Sequence, residues 1–514
     1  MTPAAAPFWP PSLEGRALLA VLLLFPFLGL GTPPLFDLDE GAFTASTTEM
    51  FLRGDFLSSY LLGEPRHDKP ILIYWLQAAS VALLGPGEFA WRLPSALAAS
   101  LWIGLTYAFV GHVLDRSAGL TAALLVATAA GLVVITRAAT ADALLNLCLA
   151  GAGYATWLWL QEGRRRWLYL AWAAMALGFM SKGPVALVIP GGAVALWCGL
   201  RGDWRRLLAW AFSPGPLGVF LAIAAPWYVV QTLNEGPGFL TGFFLTHNLS
   251  RFDTPMEGHG GNLFYYVPVV LLSLLPHTGL LFAALGRGRA LWQEDLLRFG
   301  LLWFLVAFVL FSVSGTKLPH YVYYGYGGLV VCLAAVAGRM PGRRLTLSFA
   351  PLLFGLLLAL PWIVERLAPG LKPDDRLLLA GVFGAFDKAF WLWCAGGLIL
   401  SGVLLFHTRI DTTRALHING LVGGIALALS LIPIVGQVQQ APIRTAGLLA
   451  RAQPGPLVLY GLNTPSFQTY AGRQVEKRPP RPGDLVLTRA SQRAKLPDAK
   501  PLYQERGYML LRMP

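Results

Sequence analysis

Five ionisable residues, Asp37, Asp39, Glu40, Asp68 and Lys69, fall within 33 positions of one another, between two apolar runs long enough to cross a membrane. They occupy the segments FDLDEGAFTASTTEM and GEPRHDKPILIYW. A connection that merely joins two helices is usually short, and ionisable groups at a membrane edge are costly and mark sites or pathways. A carboxylate in such a place accepts a proton or orients a nucleophile when its surroundings raise its pKa. Asp39 and Glu40 are therefore candidate catalytic acids; their simpler role would be to favour the N-terminus of an interfacial helix. Asp142, in RAATADALL at the outer start of another apolar span, is a third candidate, with helix capping again the alternative.

Cations accompany the acids. Lys69, Arg251 and Lys317 lie near the ends of apolar elements. Each could simply snorkel to lipid headgroups; together they offer the guanidinium fork and ammonium points that a phosphate requires. Tyr321, Tyr323, Tyr324 and Tyr326 follow Lys317; they suit an interfacial aromatic belt, from which one hydroxyl can reach a phosphate. His247 precedes Arg251 by four residues in FFLTHNLSRF, one helical turn. With Asp68 it makes a sparse candidate for a divalent metal, short of a recognisable ligand spacing. The chain contains no Walker loop, no GxGxxG on a strand–helix unit and no HExxH, so no nucleotide-using site is indicated.

The elements that position these residues are membrane helices. The 514 residues are 55% hydrophobic and 13% charged, about half the charge of a soluble domain. At about 20 apolar residues per crossing, thirteen spans are predicted: 17–34, 89–111, 117–136, 141–160, 167–181, 184–200, 209–232, 262–285, 298–314, 320–338, 345–365, 389–407 and 416–436. The short apolar stretch 71–84 reads as an interfacial or re-entrant helix. The net charge of +13 comes largely from arginines in alternate short connections, such as Arg164–Arg165–Arg166 and Arg339/Arg343/Arg344. That is the positive-inside pattern and not a nucleic-acid surface. With a cytoplasmic N-terminus, the loops carrying Asp39, Lys69, Arg137, Asp142, Lys182, Arg251 and Lys317 all face outward. The four cysteines lie inside apolar spans and indicate neither a disulfide nor a metal site. Residues 437–514 turn polar, with short alternating runs between Pro/Gly turns. The expectation is a membrane domain over 1–436 and a small outward α/β domain over 437–514.

The motifs DEGAFTASTTEM, GEPRHDKPILIYWLQAAS with EFAWRLPSALA, RAATADALL, MSKGPVAL, FFLTHNLSRF and SGTKLPHYVYY run over about residues 15–340. In that order they resemble the polyprenyl-phosphate-sugar-dependent membrane glycosyltransferases of the GT-C fold, in the branch of lipid A aminoarabinose transferases and relatives of protein O-mannosyltransferases. The resemblance implies that Asp39 is the first-loop catalytic aspartate and Asp142 a supporting acid. It implies that Lys69 and Arg251 hold the lipid phosphate with help from Tyr321, and that any metal would sit by Asp68 and His247. The family's first-loop helix often continues DEARYAE, where this chain has Ala42, Phe43 and Ala45.

The function expected is inverting transfer of a sugar from undecaprenyl phosphate to lipid A or another envelope glycolipid. The site would face the periplasm at the bacterial inner membrane, with no cofactor beyond a possible metal. A protein Ser/Thr acceptor is the alternative within the family. A flippase for lipid-linked sugar is the alternative outside it, although transporters place binding groups near the midplane and show repeats.

Overall fold

The structure, a computed structural model, describes residues 9–249, 260–339 and 342–514. The first part of the chain runs through α1 (Leu13–Leu24), α2 (Asp39–Arg53), α3 (Leu72–Leu84), α4 (Glu88–Val113), α5 (Arg116–Thr128), α6 (Ala130–Ile135), α7 (Asp142–Glu162), α8 (Arg165–Lys182), α9 (Val185–Arg201), α10 (Trp204–Phe212) and α11 (Pro214–Glu235). Helices 295–313, 326–338, 349–367, 388–406 and 412–439 complete the bundle. A helix occupies part of every predicted span. Among the described residues, eight helical stretches are long and apolar enough to cross a membrane.

Several predicted spans are interrupted, three of them near the site. The first ends at Leu24, because Pro26 and the left-handed Gly29 (φ 70°) cannot prolong it. The third bends at Ala129, which is extended (ψ 131°) and separates α5 from α6. Span 262–285 splits into Tyr266–Ser273 and Thr278–Leu285 around Pro276, which has no N–H to donate. Its carbonyl neighbour Leu275 instead accepts from the Ala130 N–H at 2.8 Å, so two of the breaks meet.

Beyond residue 440, helix Ala441–Arg451 leads into a five-stranded sheet. After the small hairpin of β1 (Tyr60–Leu61) and β2 (Glu64–Pro65), its strands are β3 (Leu457–Tyr460), β4 (Val475–Lys477), β5 (Leu485–Arg489), β6 (Lys500–Glu505) and β7 (Tyr508–Arg512). The order is β4-β3-β5-β7-β6, with β3 parallel to both neighbours and β7 antiparallel to both of its own. Strand alternation divides the apolar side chains between two faces. Leu457, Leu459 and Leu487 pack with Ile443 and Phe467, while Val458, Val486 and Leu511 pack with Leu496.

This sheet is fastened to α2 through the short helix Ser466–Ala471. The Ser466 N–H and hydroxyl donate to the Asp37 carboxylate at 3.0 and 2.5 Å, the Thr469 and Thr44 hydroxyls meet at 2.9 Å, and Gln468 donates to the Ala45 carbonyl at 3.2 Å. Gly41 makes the approach possible, since a Cβ there would lie 1.8 Å from Asp37 Oδ1. Small side chains (Gly41, Thr44, Ala45, Ser46) along α2 thus let it fit between the membrane bundle and the sheet.

Candidate active site

Asp39 begins α2 and is exposed, and its carboxylate makes no hydrogen bond or ion pair with another described residue. Its neighbour Glu40 is buried and fully engaged, so the two adjacent acids differ in their surroundings. Glu40 Oε1 accepts from Arg92 Nε at 2.7 Å and the Ala139 N–H at 2.6 Å; Oε2 accepts from Arg92 Nη2 at 2.7 Å and the Phe36 N–H at 2.9 Å. Four donors fill the acceptor sites of a carboxylate, which corrects the expectation that Glu40 is catalytic. Arg92 also donates to the carbonyls of Leu30, Pro33 and Pro34. This buried pair therefore ties the exit of the first helix to α2 and α4.

Asp142 opens α7 and is 4% exposed. Lys182, at the last turn of α8, donates to its Oδ1 at 2.5 Å, Tyr324 Oη donates to the same oxygen at 2.6 Å, and Thr140 Oγ1 donates to Oδ2 at 2.9 Å. His320 Nε2 stands 3.6 Å from Oδ1. The basic group that joins this acid is thus Lys182 of MSKGPVAL, and the nearest tyrosine is Tyr324. Both lie near ionisable groups at membrane ends, the signal that could have singled them out. Tyr321 lies one step further away, its ring 5.4 Å from the Lys182 ammonium.

In the loop before α3, Lys69 Nζ contacts Asp68 Oδ1 at 2.7 Å, and Arg66 Nη2 contacts Asp68 Oδ2 at 3.3 Å. Arg66 also donates to the Ala42 carbonyl at 2.5 Å, fixing this loop to α2. His67 meets Glu235, at the end of α11, at 2.5 Å. Arg66 and Glu235 had no place in the sequence reading.

Two cavities open on these residues. A polar chamber of about 510 Å³ is lined by Arg66, His67, Asp68, Lys69, Lys182 and Tyr321, with Asn463 and Pro465 of the sheet domain as part of its roof. An apolar chamber of about 400 Å³ is lined by Pro33, Phe36, Val134, Ile135, Arg137 and Ile432. Both are lined by Asp39, Asp142, Leu318 and His320. The free carboxylate of Asp39 therefore stands where the two chambers join.

Lys317 is not in either lining. It is 6% exposed and donates to the Ser314 carbonyl at the end of helix 295–313, where a cation complements the helix dipole. That role replaces the expected phosphate contact. Asp68 has both oxygens facing cations, a poor setting for a metal, and no group of three or more His, Cys, Asp or Glu suited to a metal occurs among the described residues. Arg251 and the side chain of His247 lie outside the described residues.

The dolichyl-phosphate-mannose-protein mannosyltransferase family matches residues 68–229. The chain is 31% identical over 405 residues to undecaprenyl phosphate-alpha-4-amino-4-deoxy-L-arabinose arabinosyl transferase 2 of Sodalis glossinidius, covering 75% of this chain and 72% of that one. The enzyme of that name from Yersinia enterocolitica is 27% identical, with 95% of each chain covered. In fold, ArnT from Cupriavidus metallidurans bound to undecaprenyl phosphate is similar with a TM-score of 0.79 at 20% identity, over 98% of both chains. The bundle and its small sheet are thus those of a membrane glycosyltransferase of the GT-C type. Within that class, the chain belongs to the undecaprenyl phosphate-aminoarabinose arabinosyl transferase family.

Proposed function

We propose that this protein transfers 4-amino-4-deoxy-L-arabinose from undecaprenyl phosphate to lipid A or a similar envelope glycolipid at the outer face of a bacterial inner membrane. The donor is the one in the names of its relatives. What supports the outward placement is the arginine-rich connections, which alternate along the chain with the loops that carry the acids.

The observation that carries the reading is the unpartnered Asp39 carboxylate at the junction of a polar and an apolar chamber. In a single displacement the acceptor oxygen bonds to the sugar C1 as the bond from C1 to the phosphate oxygen breaks, inverting that carbon. Asp39 orients the acceptor group and takes its proton where it is a hydroxyl. Lys69, with Arg251 as a second cation, stabilises the charge that gathers on the departing undecaprenyl phosphate; fixed cations act strongly in a water-poor site. Tyr321 borders the same chamber. Asp142, held by Lys182 and Tyr324, keeps the second wall of the junction in register.

The test is to reconstitute the full chain in vesicles with the donor and lipid A, following release of undecaprenyl phosphate and the mass of the glycolipid. Wild type should transfer the sugar, whereas Asp39→Asn should bind undecaprenyl phosphate yet transfer about 10²–10⁴-fold more slowly, the usual worth of a general base. Sugar lipid crossing the bilayer without transfer would identify a flippase instead.

A further inference from the structure

The apolar chamber contains a charge for which the proposed mechanism has no use. Arg137 lies in the turn between α6 and α7 and is 5% exposed. Its Nη2 donates to the Phe25 carbonyl at 3.1 Å, and its guanidinium lies 5.5 Å from the Phe25 ring centre. Nε and Nη1 are sealed from the surface without an acceptor, and no carboxylate pairs with Arg137 among the described residues. The other buried ions of this wall are compensated: Arg92 by Glu40 at 2.7 Å, and Asp142 by Lys182 at 2.5 Å.

A buried charge without a counter-ion is strongly destabilising. Burial and the nearby Arg92 both lower the proton affinity of Arg137, so the resting wall works against its charge and a bound anion would relieve it. Apolar side chains such as Pro33, Phe36, Val134, Ile135 and Ile432 share the chamber with Arg137, and the lining also includes the paired ions Glu40, Arg92 and Asp142, with His320 and Asp39 at the junction. An uncompensated guanidinium beside apolar side chains suits an amphiphile with an anionic head, and guanidinium groups favour phosphate. The polar chamber has its own cations in Arg66, Lys69 and Lys182. A reaction between two lipids needs a second place for a lipid head, on the other side of Asp39.

We propose that Arg137 is an anion-binding residue that receives the phosphate of a lipid-linked substrate in the apolar chamber. This rests on the reading of the site as a sugar transferase acting between two lipids. Two sources share the chemistry: undecaprenyl phosphate itself, or a phosphate carried by the glycolipid acceptor.

The experiment uses the full chain in nanodiscs as wild type, Arg137→Gln and Arg137→Lys. Undecaprenyl phosphate binding is titrated directly, and transfer is measured with phosphorylated and with dephosphorylated lipid A. Arg137→Gln should weaken one of these interactions at least about tenfold, the size of one charge-assisted contact, without lowering the melting temperature; Arg137→Lys should restore part of the loss. A loss in the titration identifies the donor phosphate. A raised KM for phosphorylated lipid A, down to the level of the dephosphorylated lipid, identifies the acceptor phosphate. Unchanged values in both assays overturn the proposal. So does a fall in melting temperature that weakens both substrates equally and is matched by Arg137→Lys, because the guanidinium then serves only to support Phe25. If wild type transfers no sugar, the functional reading fails, while the titration still decides whether Arg137 binds a phosphate.

Discussion

Asp142 and Lys182 stand 40 positions apart in the chain and 2.5 Å apart in space, and their contact joins the start of α7 to the end of α8. Both are largely buried, so each depends on the other for compensation. Removing one partner of such a pair commonly costs about 3–5 kcal/mol, much more than the pair contributes as a unit. Asp142→Asn and Lys182→Met should each lower the melting temperature of the detergent-purified protein, and the double substitution should recover much of that loss without recovering transfer. Additive losses in the double variant would show that the two do not act as a pair.

The neighbours Asp39 and Glu40 should respond in opposite ways. Glu40→Gln leaves Arg92 without its buried counter-ion, and destabilisation of about 3–5 kcal/mol is expected. Asp39→Asn removes a carboxylate that holds nothing in place, so stability should stay within about 0.5 kcal/mol. Thermal unfolding of the two variants in the same detergent checks the contrast. It is refuted if Asp39→Asn is the less stable of the two.

Lys69 and Lys317 make a second contrasting pair. Lys69→Ala should weaken binding of undecaprenyl phosphate by about 1.5–3 kcal/mol, as loss of a hydrogen bond to a charged group does. Lys317→Met should leave that binding unchanged and lower the melting temperature, because its ammonium serves the Ser314 carbonyl. Titration of both variants with undecaprenyl phosphate separates the roles, and weaker binding only in Lys317→Met would reverse the assignment.

The Asp37 clamp on the sheet domain should depend on pH. Burial, opposed by the two bonds from Ser466, raises its pKa from 3.8 to about 7. Below about pH 4 the carboxyl is neutral whether the domain is docked or released, and docking is at full strength. As pH rises from 4 to 7 only the released form gives up its proton, so docking weakens, and above 7 the loss is complete. The protection of amides 466–472, exchange divided by its intrinsic rate at each pH, should therefore be lower at pH 8 than at pH 5, and Asp37→Asn should remove the difference. Equal or higher protection at pH 8 in the wild type would contradict this sign.

Much of the helical architecture was legible in the chain because hydropathy reports long apolar helices directly. The gathering of Asp39, Lys69 and Asp142 around one pair of chambers was likewise foreshadowed by their common position near the ends of apolar runs. What escaped was orientation. Successive helical residues point about 100° apart, so Asp39 can face a cavity while Glu40 turns inward to Arg92, and nothing in the letters DE says which. The direction of Lys317 depends on how SGTK folds back over a helix end. The partnership of Asp142 with Lys182 depends on α7 and α8 packing antiparallel, a tertiary fact. Breaks at Ala129 and Pro276 lie within apolar runs whose hydropathy stays high, so a count of apolar residues passes over them.

Ser466 clasps Asp37 from 429 positions further along the chain. During synthesis the first wall of the reaction chamber is made early, and part of its roof arrives only after the whole bundle has been inserted. The order of translation thus keeps the chamber open through most of the chain's birth, and a ribosome that stalls after the last membrane helix leaves an inserted bundle with an unroofed site.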